Sequence, residues 1–198
     1  ATYSNCDYAV GVGNATDALE MLIQVSDIKK DDEVIISTHT MIATASAISA
    51  NGAIPVPVEC GTDHLIDPES IEKAINSKTK CIMPTQLNGR TVNMDDICRI
   101  ADEYGLKIIE DSAQALGSKY KGKNAGTFGV GGCISFYPAK VLGCLGDGGI
   151  ILCNDKSIYN KLIMIRDHGR DPVSGDVLLW GRNSRLDNLQ AAFLNHQF

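Results

Sequence analysis

The chain has 198 residues, 44% of them hydrophobic and 21% charged, with a formal net charge of −6. That is the composition of a folded chain able to bury a core, and it excludes disorder. The eighteen basic residues form no cluster, which excludes a nucleic-acid footprint, and no apolar run reaches membrane-spanning length.

Short β-branched runs alternate with helical stretches along the chain. Glu33–Ser37 reads as a buried strand, and residues 41–50 follow as a helix of small residues. Ile54–Val58 is a second strand, a reading that Pro55 and Pro57 weaken. A helix opens at Asp67-Pro68, with Asp67 as N-cap and Pro68 at the first helical position. Residues 80–83 make the next strand, 93–104 an amphipathic helix ended by Gly105, and 106–110 another strand. Beyond Asp111 come a glycine-rich stretch at 126–134, strands at 133–137 and 148–153, a helix at 156–166, and a last helix from Ser184 to the chain end. This rhythm predicts an α/β fold with a mostly parallel central sheet and helices on both faces. Ligands then gather beyond the carboxyl ends of the strands.

Seven cysteines, an odd number with no C-x-x-C pair, sit mostly in apolar runs. They read as free thiols in a reducing compartment, with the cytoplasm as the expected location. The four histidines lack metal-ligand spacing, and no metal is expected. The N-terminus shows no charged-then-apolar signal segment.

Four segments are able to carry chemistry. Gly11-Val12-Gly13-Asn14-Ala15-Thr16 is a glycine-rich turn opening a helix, and its free N–H groups suit a phosphate. A dinucleotide fold uses the same device, but Thr16 stands where its third glycine belongs, and a plain helix cap explains the turn equally well. Glu110-Asp111-Ser112-Ala113-Gln114 ends an apolar strand with two carboxylates. An ionised Asp111 at that point suits a protonated pyridine nitrogen, and it also suits the capping of a turn. Ser135-Phe136-Tyr137-Pro138-Ala139-Lys140 leads into Gly143 and Gly146-Asp147-Gly148-Gly149. Lys140 in that apolar turn is a candidate amine nucleophile, Ser135 a candidate phosphate donor, and the bland alternative is a surface lysine. In Gly181-Arg182-Asn183-Ser184, either Asn183 or Ser184 reads as a cap for the last helix.

In this order the segments GNATDAL, DDEVIISTHTMIATA, IIEDSAQALGSKYKGKNAG, SFYPAKVLGCLGDGG and GRNSRLDNLQAA resemble the nucleotide-sugar aminotransferases of the DegT/DnrJ/StrS type. These are pyridoxal-phosphate (PLP) enzymes of the aspartate-aminotransferase fold, fold type I. The likeness runs from about Tyr8 to the last residue. It implies that residues 1–198 form the PLP-binding large domain, without the small C-terminal domain and the early N-terminal segment of that family. It also implies that Lys140 is the Schiff-base lysine and proton shuttle, and that Asp111 pairs with the pyridine nitrogen. Gln114 would lie near the ring hydroxyl. The backbone N–H groups of Thr16 and Asp17 and the hydroxyl of Ser135 would hold the phosphate. Asn183 would reach the phosphate in a partner subunit, giving a homodimer with a shared site. Met41 stands where an aromatic residue usually covers the ring, and Gln86 and Asn88 replace the common His and Tyr. The implied reaction moves an amino group from an amino acid, glutamate by expectation, to a nucleotide-linked keto-sugar. Two alternatives remain at this stage: a sugar dehydratase of the same fold, a branch that carries histidine in place of Lys140, and a truncated chain that binds PLP or dimerises without full turnover.

Overall fold

The computed structural model describes residues 1–198. In chain order the elements are β1 (Tyr8–Val12), α1 (Ala15–Val25), β2 (Glu33–Ser37), α2 (Ile42–Ala50), β3 (Ile54–Val58), α3 (Pro68–Ala74), β4 (Thr79–Met83), α4 (Met94–Tyr104) and β5 (Lys107–Asp111). After them come the hairpin β6 (Lys119–Tyr120) and β7 (Lys123–Asn124), then β8 (Gly131–Ser135), β9 (Gly149–Cys153), α5 (Lys156–Ile165) and α6 (Asn188–Gln197).

Seven strands form one sheet in the order β1-β9-β8-β5-β4-β2-β3. The pairs from β8 to β3 are all parallel, while β9 runs antiparallel to both its neighbours. The expected α/β architecture with a mostly parallel sheet is therefore present, with one reversed strand. Because β9 is reversed against both, β1 runs in the same direction as β8. The carboxyl ends of β1, β4, β5 and β8 thus share one edge of the sheet.

Side-chain alternation along each strand supplies two cores. Val34, Ile36, Cys81, Met83 and Ile109 face the side covered by α1, α2 and α5. Ile35, Ile82 and Ile108 face the side covered by α3 and α4. Strands buried on both faces read as unbroken apolar runs, which is why Glu33–Ser37 was legible without a polar period.

The prolines of β3 find their reason in the topology. β3 is the outermost strand, where a residue without an N–H leaves no ladder bond unmade. Two helix ends also form for the predicted reasons. Asp67 accepts from the Ser70 N–H at 3.1 Å ahead of Pro68, and Gly105 closes α4 in the left-handed region with φ 65°. The last helix departs from expectation. It begins at Asn188 rather than Ser184, and neither Asn183 nor Ser184 caps it. Ser184 is engaged elsewhere, because its Oγ accepts from the Gly13 N–H at 3.1 Å.

Candidate active site

A cavity of about 480 Å³ opens at the shared carboxyl edge of the sheet, where parallel sheets place ligands. Thr16, Met41, Asp111, Gln114, Ser135 and Lys140 all line it, although the chain separates the first from the last by more than half its length. A second cavity of about 380 Å³ adjoins it and shares Gln114, Ser135 and Lys140, with Asn88, Gly89 and Val141 on its far side. Lys140 therefore stands between two spaces.

Strand geometry sorts the two carboxylates of β5. Asp111 continues the Ile109 face and Glu110 continues the Ile108 face. Asp111 is 4% exposed, lines the cavity, and makes no ion pair with any lysine or arginine of the chain. Its Oδ2 accepts from Thr44 Oγ1 at 2.6 Å, and its Oδ1 accepts from the Ala113 N–H at 3.1 Å and faces Cys133 Sγ at 3.6 Å. A buried carboxylate without a cationic partner is an uncommon arrangement. It suits a cation that enters through the cavity.

Glu110 points to the opposite core and takes no part in the cavity. Its oxygens accept from the Gln86 amide at 2.6 Å and the Phe128 N–H at 2.7 Å. Burial pushes its carboxyl up to about 7, against the N–H groups of Gly126 and Phe128 and the Gln86 amide, which pull it down. The unfolded chain releases this proton near pH 4.5 and the folded chain near 7, so the folded state holds more protons in between. Stability from this group is complete below about 4.5 and is lost as pH rises through about 7, by on the order of 3 kcal/mol. Urea denaturation on either side of that window should show the fall, and Glu110→Gln should flatten it because an amide does not titrate. An equal slope in both proteins would contradict the assignment.

Gln86 belongs with Glu110 rather than with a substrate. It is fully buried, and its Oε1 accepts from the Val92 N–H at 2.7 Å. Of the residues that follow Gln86, Asn88 and Gly89 line the second cavity, and Arg90 lines neither. The Asn88 N–H donates to Gln114 Oε1 at 3.0 Å, which leaves the Gln114 amide nitrogen as the end able to donate into the cavity.

The lysine loop is closed by its glycines. The Lys140 N–H bonds to Tyr137 O at 2.9 Å and the Cys144 N–H to Phe136 O at 2.7 Å. A Cβ at Gly143 would meet Pro138 O at 2.7 Å, and one at Gly148 would meet Cys144 Sγ at 2.5 Å. Lys140 itself is half-buried on this turn. Ser135 Oγ accepts from the Tyr137 N–H at 3.2 Å, so its own proton remains to be donated.

The anion end of the cavity is the start of α1. Asn14, Ala15 and Thr16 line it, and the N–H groups of Ala15 and Thr16 have no intrahelical acceptor. Asp17 differs from the expectation set for it. It does not line the cavity, and its N–H already donates to the capping Asn14 Oδ1 at 2.8 Å. Asn14 is the residue missed, although an Asn just before a helix is a recognisable cap. Gly149 allows this end to form, because a Cβ there would lie 2.7 Å from the Asn14 carbonyl carbon. Gly149→Ala should cost about 1–3 kcal/mol, read as a fall of several degrees in Tm. An unchanged Tm would contradict the close approach.

Met41 lines the cavity as the cap residue of α2, 60% exposed. Asn183 lies outside both cavities, exposed, bridged to Asp167. Thr85, Tyr137 and Asp147 line the cavity without having been singled out, and no local pattern marks Thr85.

Comparison with known proteins places the chain in a family and a fold. The family model described as the DegT/DnrJ/EryC1/StrS aminotransferase family matches residues 1–198. The chain is 47% identical to the dTDP-3-amino-3,6-dideoxy-alpha-D-galactopyranose transaminase of Aneurinibacillus thermoaerophilus, over 98% of this chain and 54% of that protein. It superposes with a TM-score of 0.94 and 42% identity on DesV of S. venezuelae in complex with a ketimine intermediate, covering 99% of this chain and 53% of that one. With NtdA of Bacillus subtilis, solved with the bound cofactor PMP, the TM-score is 0.90 at 34% identity, covering 98% and 44%. The chain spans about half the length of the curated relatives it matches. With the whole of residues 1–198 matched and the fold shared, the chain belongs to the DegT/DnrJ/EryC1/StrS aminotransferase family.

Proposed function

We propose that residues 1–198 form the PLP-binding large domain of an aminotransferase that passes an amino group from an amino acid to a nucleotide-linked keto-sugar. The observation that carries this reading is the lone buried carboxylate of Asp111 in the same cavity as Lys140 and the start of α1. A phosphate, a cationic ring nitrogen and an aldehyde each find a chemically matched partner there. The DesV and NtdA structures, with their ketimine and PMP, support the same cofactor.

The Ala15 and Thr16 N–H groups and the Ser135 hydroxyl bind the phosphate, aided by the positive end of α1. Asp111 holds a proton at the ring nitrogen through its charge. Bound in this way, pyridoxal phosphate supplies an electron sink for the bond-breaking step. Lys140 would provide the amine that holds the cofactor's aldehyde and, as a free amine, would carry the proton in the transfer. Gln114 would donate to the ring hydroxyl, and Met41, also lining the cavity, would offer the ring sulfur and methylene rather than an aromatic face.

Glutamate is the donor we infer, and the names of relatives support a nucleotide-linked sugar as acceptor. Exposed Tyr137 and Val141 at the cavities, with Leu145, Val173 and Trp180 also exposed, support a homodimer whose shared site uses Asn183. Seven free cysteines support the cytoplasm. Lys140 speaks against the dehydratase branch. Glutamate carrying a nitrogen label tests the reaction: label should appear in an amino-sugar nucleotide, and product without label would overturn the reading.

A further inference from the structure

Thr40 precedes α2, Thr44 lies in its first turn, and Thr85 follows β4. Their hydroxyls make one continuous line. Thr85 Oγ1 is 2.8 Å from Thr40 Oγ1, Thr40 Oγ1 is 2.7 Å from Thr44 Oγ1, and Thr44 Oγ1 is 2.6 Å from Asp111 Oδ2. A carboxylate only accepts, and each hydroxyl has one proton to give. Thr44 gives its proton to Asp111, so it must accept from Thr40, and Thr40 must in turn accept from Thr85. The direction of the whole line is therefore fixed by the charge at its end. Thr44 is fully buried, Thr85 is 4% exposed and Thr40 is half-buried, so the bond from Thr44 to Asp111 lies away from solvent.

We infer that Thr44, backed by Thr40 and Thr85, is a positioning residue that sets the orientation of Asp111 toward the ring nitrogen of the bound cofactor. The inference rests on the cofactor reading above. The terminal torsion of an aspartate is soft and broad. Here Thr44 holds one oxygen and the Ala113 N–H holds the other. A carboxylate fixed at both oxygens does not have to be reoriented when its cationic partner arrives, which is how preorganised polar groups gain strength. Donors in series also polarise one another, so loss of the far member weakens the near one. A line that served only to tie α2 to the sheet would act equally on any ligand in the cavity. One that acts through Asp111 serves only a ligand with a basic ring nitrogen.

The test uses the full-length protein and two probes: PLP, and the analogue with C–H in place of the ring nitrogen. Thr44→Val should weaken PLP about tenfold, about 1.4 kcal/mol, while Thr44→Ser stays within about twofold and Thr85→Val loses about twofold to threefold. None of these variants should change the affinity for the analogue. Equal weakening of both probes, or of neither, would overturn the positioning role. If Thr44→Val does not fold, Thr85→Val at the far end carries the same comparison. Wild-type protein that fails to bind PLP would overturn the cofactor reading and the relay with it, whereas PLP binding left unchanged in Thr44→Val overturns the relay alone.

Discussion

Lys140→Ala is expected to abolish the visible absorption band that PLP gives with the wild-type protein, and to lower turnover by at least about 10⁴. Two roles are lost together, since one amine both captures the cofactor and moves the proton. The fold should survive, because Lys140 is only half-buried and the turn that carries it is held by backbone bonds and by Gly143 and Gly148. Weak PLP binding should remain through the start of α1 and Ser135. A small free amine added to the variant should restore part of the activity. A band of full intensity in Lys140→Ala would mean that another group captures the cofactor.

Asp111→Asn should be nearly as damaging to turnover, and it too should leave the fold intact. Removing one member of a buried charge pair costs about 3–5 kcal/mol, which corresponds to about 10²–10⁴ in rate. Asparagine keeps the shape of the side chain. Its amide nitrogen would donate to Thr44, and the Thr44-Thr40-Thr85 line would then reverse its direction without breaking. The same property that makes the line sensitive to charge thus makes it tolerant of an amide. Steady-state rates together with Tm separate the two effects. Turnover within tenfold of wild type would remove Asp111 from its role, and a collapse in Tm would make that role structural.

Much of the site was legible in the chain because local rules wrote it. Gly143 and Gly149 are required by close backbone approaches and Gly148 by the Cys144 side chain, and they flank the one lysine that faces the cavity. Glu110 and Asp111 looked alike as neighbours, yet the two-residue period of a strand sends one to a buried amide and the other to the cavity. That division follows from Ile108 and Ile109 once the strand is known. Other parts depended on contacts between distant segments. Thr85 meets Thr40 across 45 residues, and Ser184 meets Gly13 across 171. The second contact holds Ser184 against the turn before α1, and α6 starts later, at Asn188. Gln86 stood out in the sequence only as a replacement for the common His, and its use as the buried donor to Glu110 depends on a contact 24 residues away. The resemblance implied a free Asp17 N–H, and Asn14 Oδ1 accepts that N–H instead.

The central claim is that Lys140, and no other lysine of the chain, forms the bond to the cofactor. Borohydride reduction of the PLP-treated protein, followed by digestion and mass analysis, tests it most directly. The expected result is one modified peptide, carrying the reduced cofactor on Lys140 and absent from Lys140→Ala. Modification spread over exposed lysines, or fixed on a different one, would contradict the account.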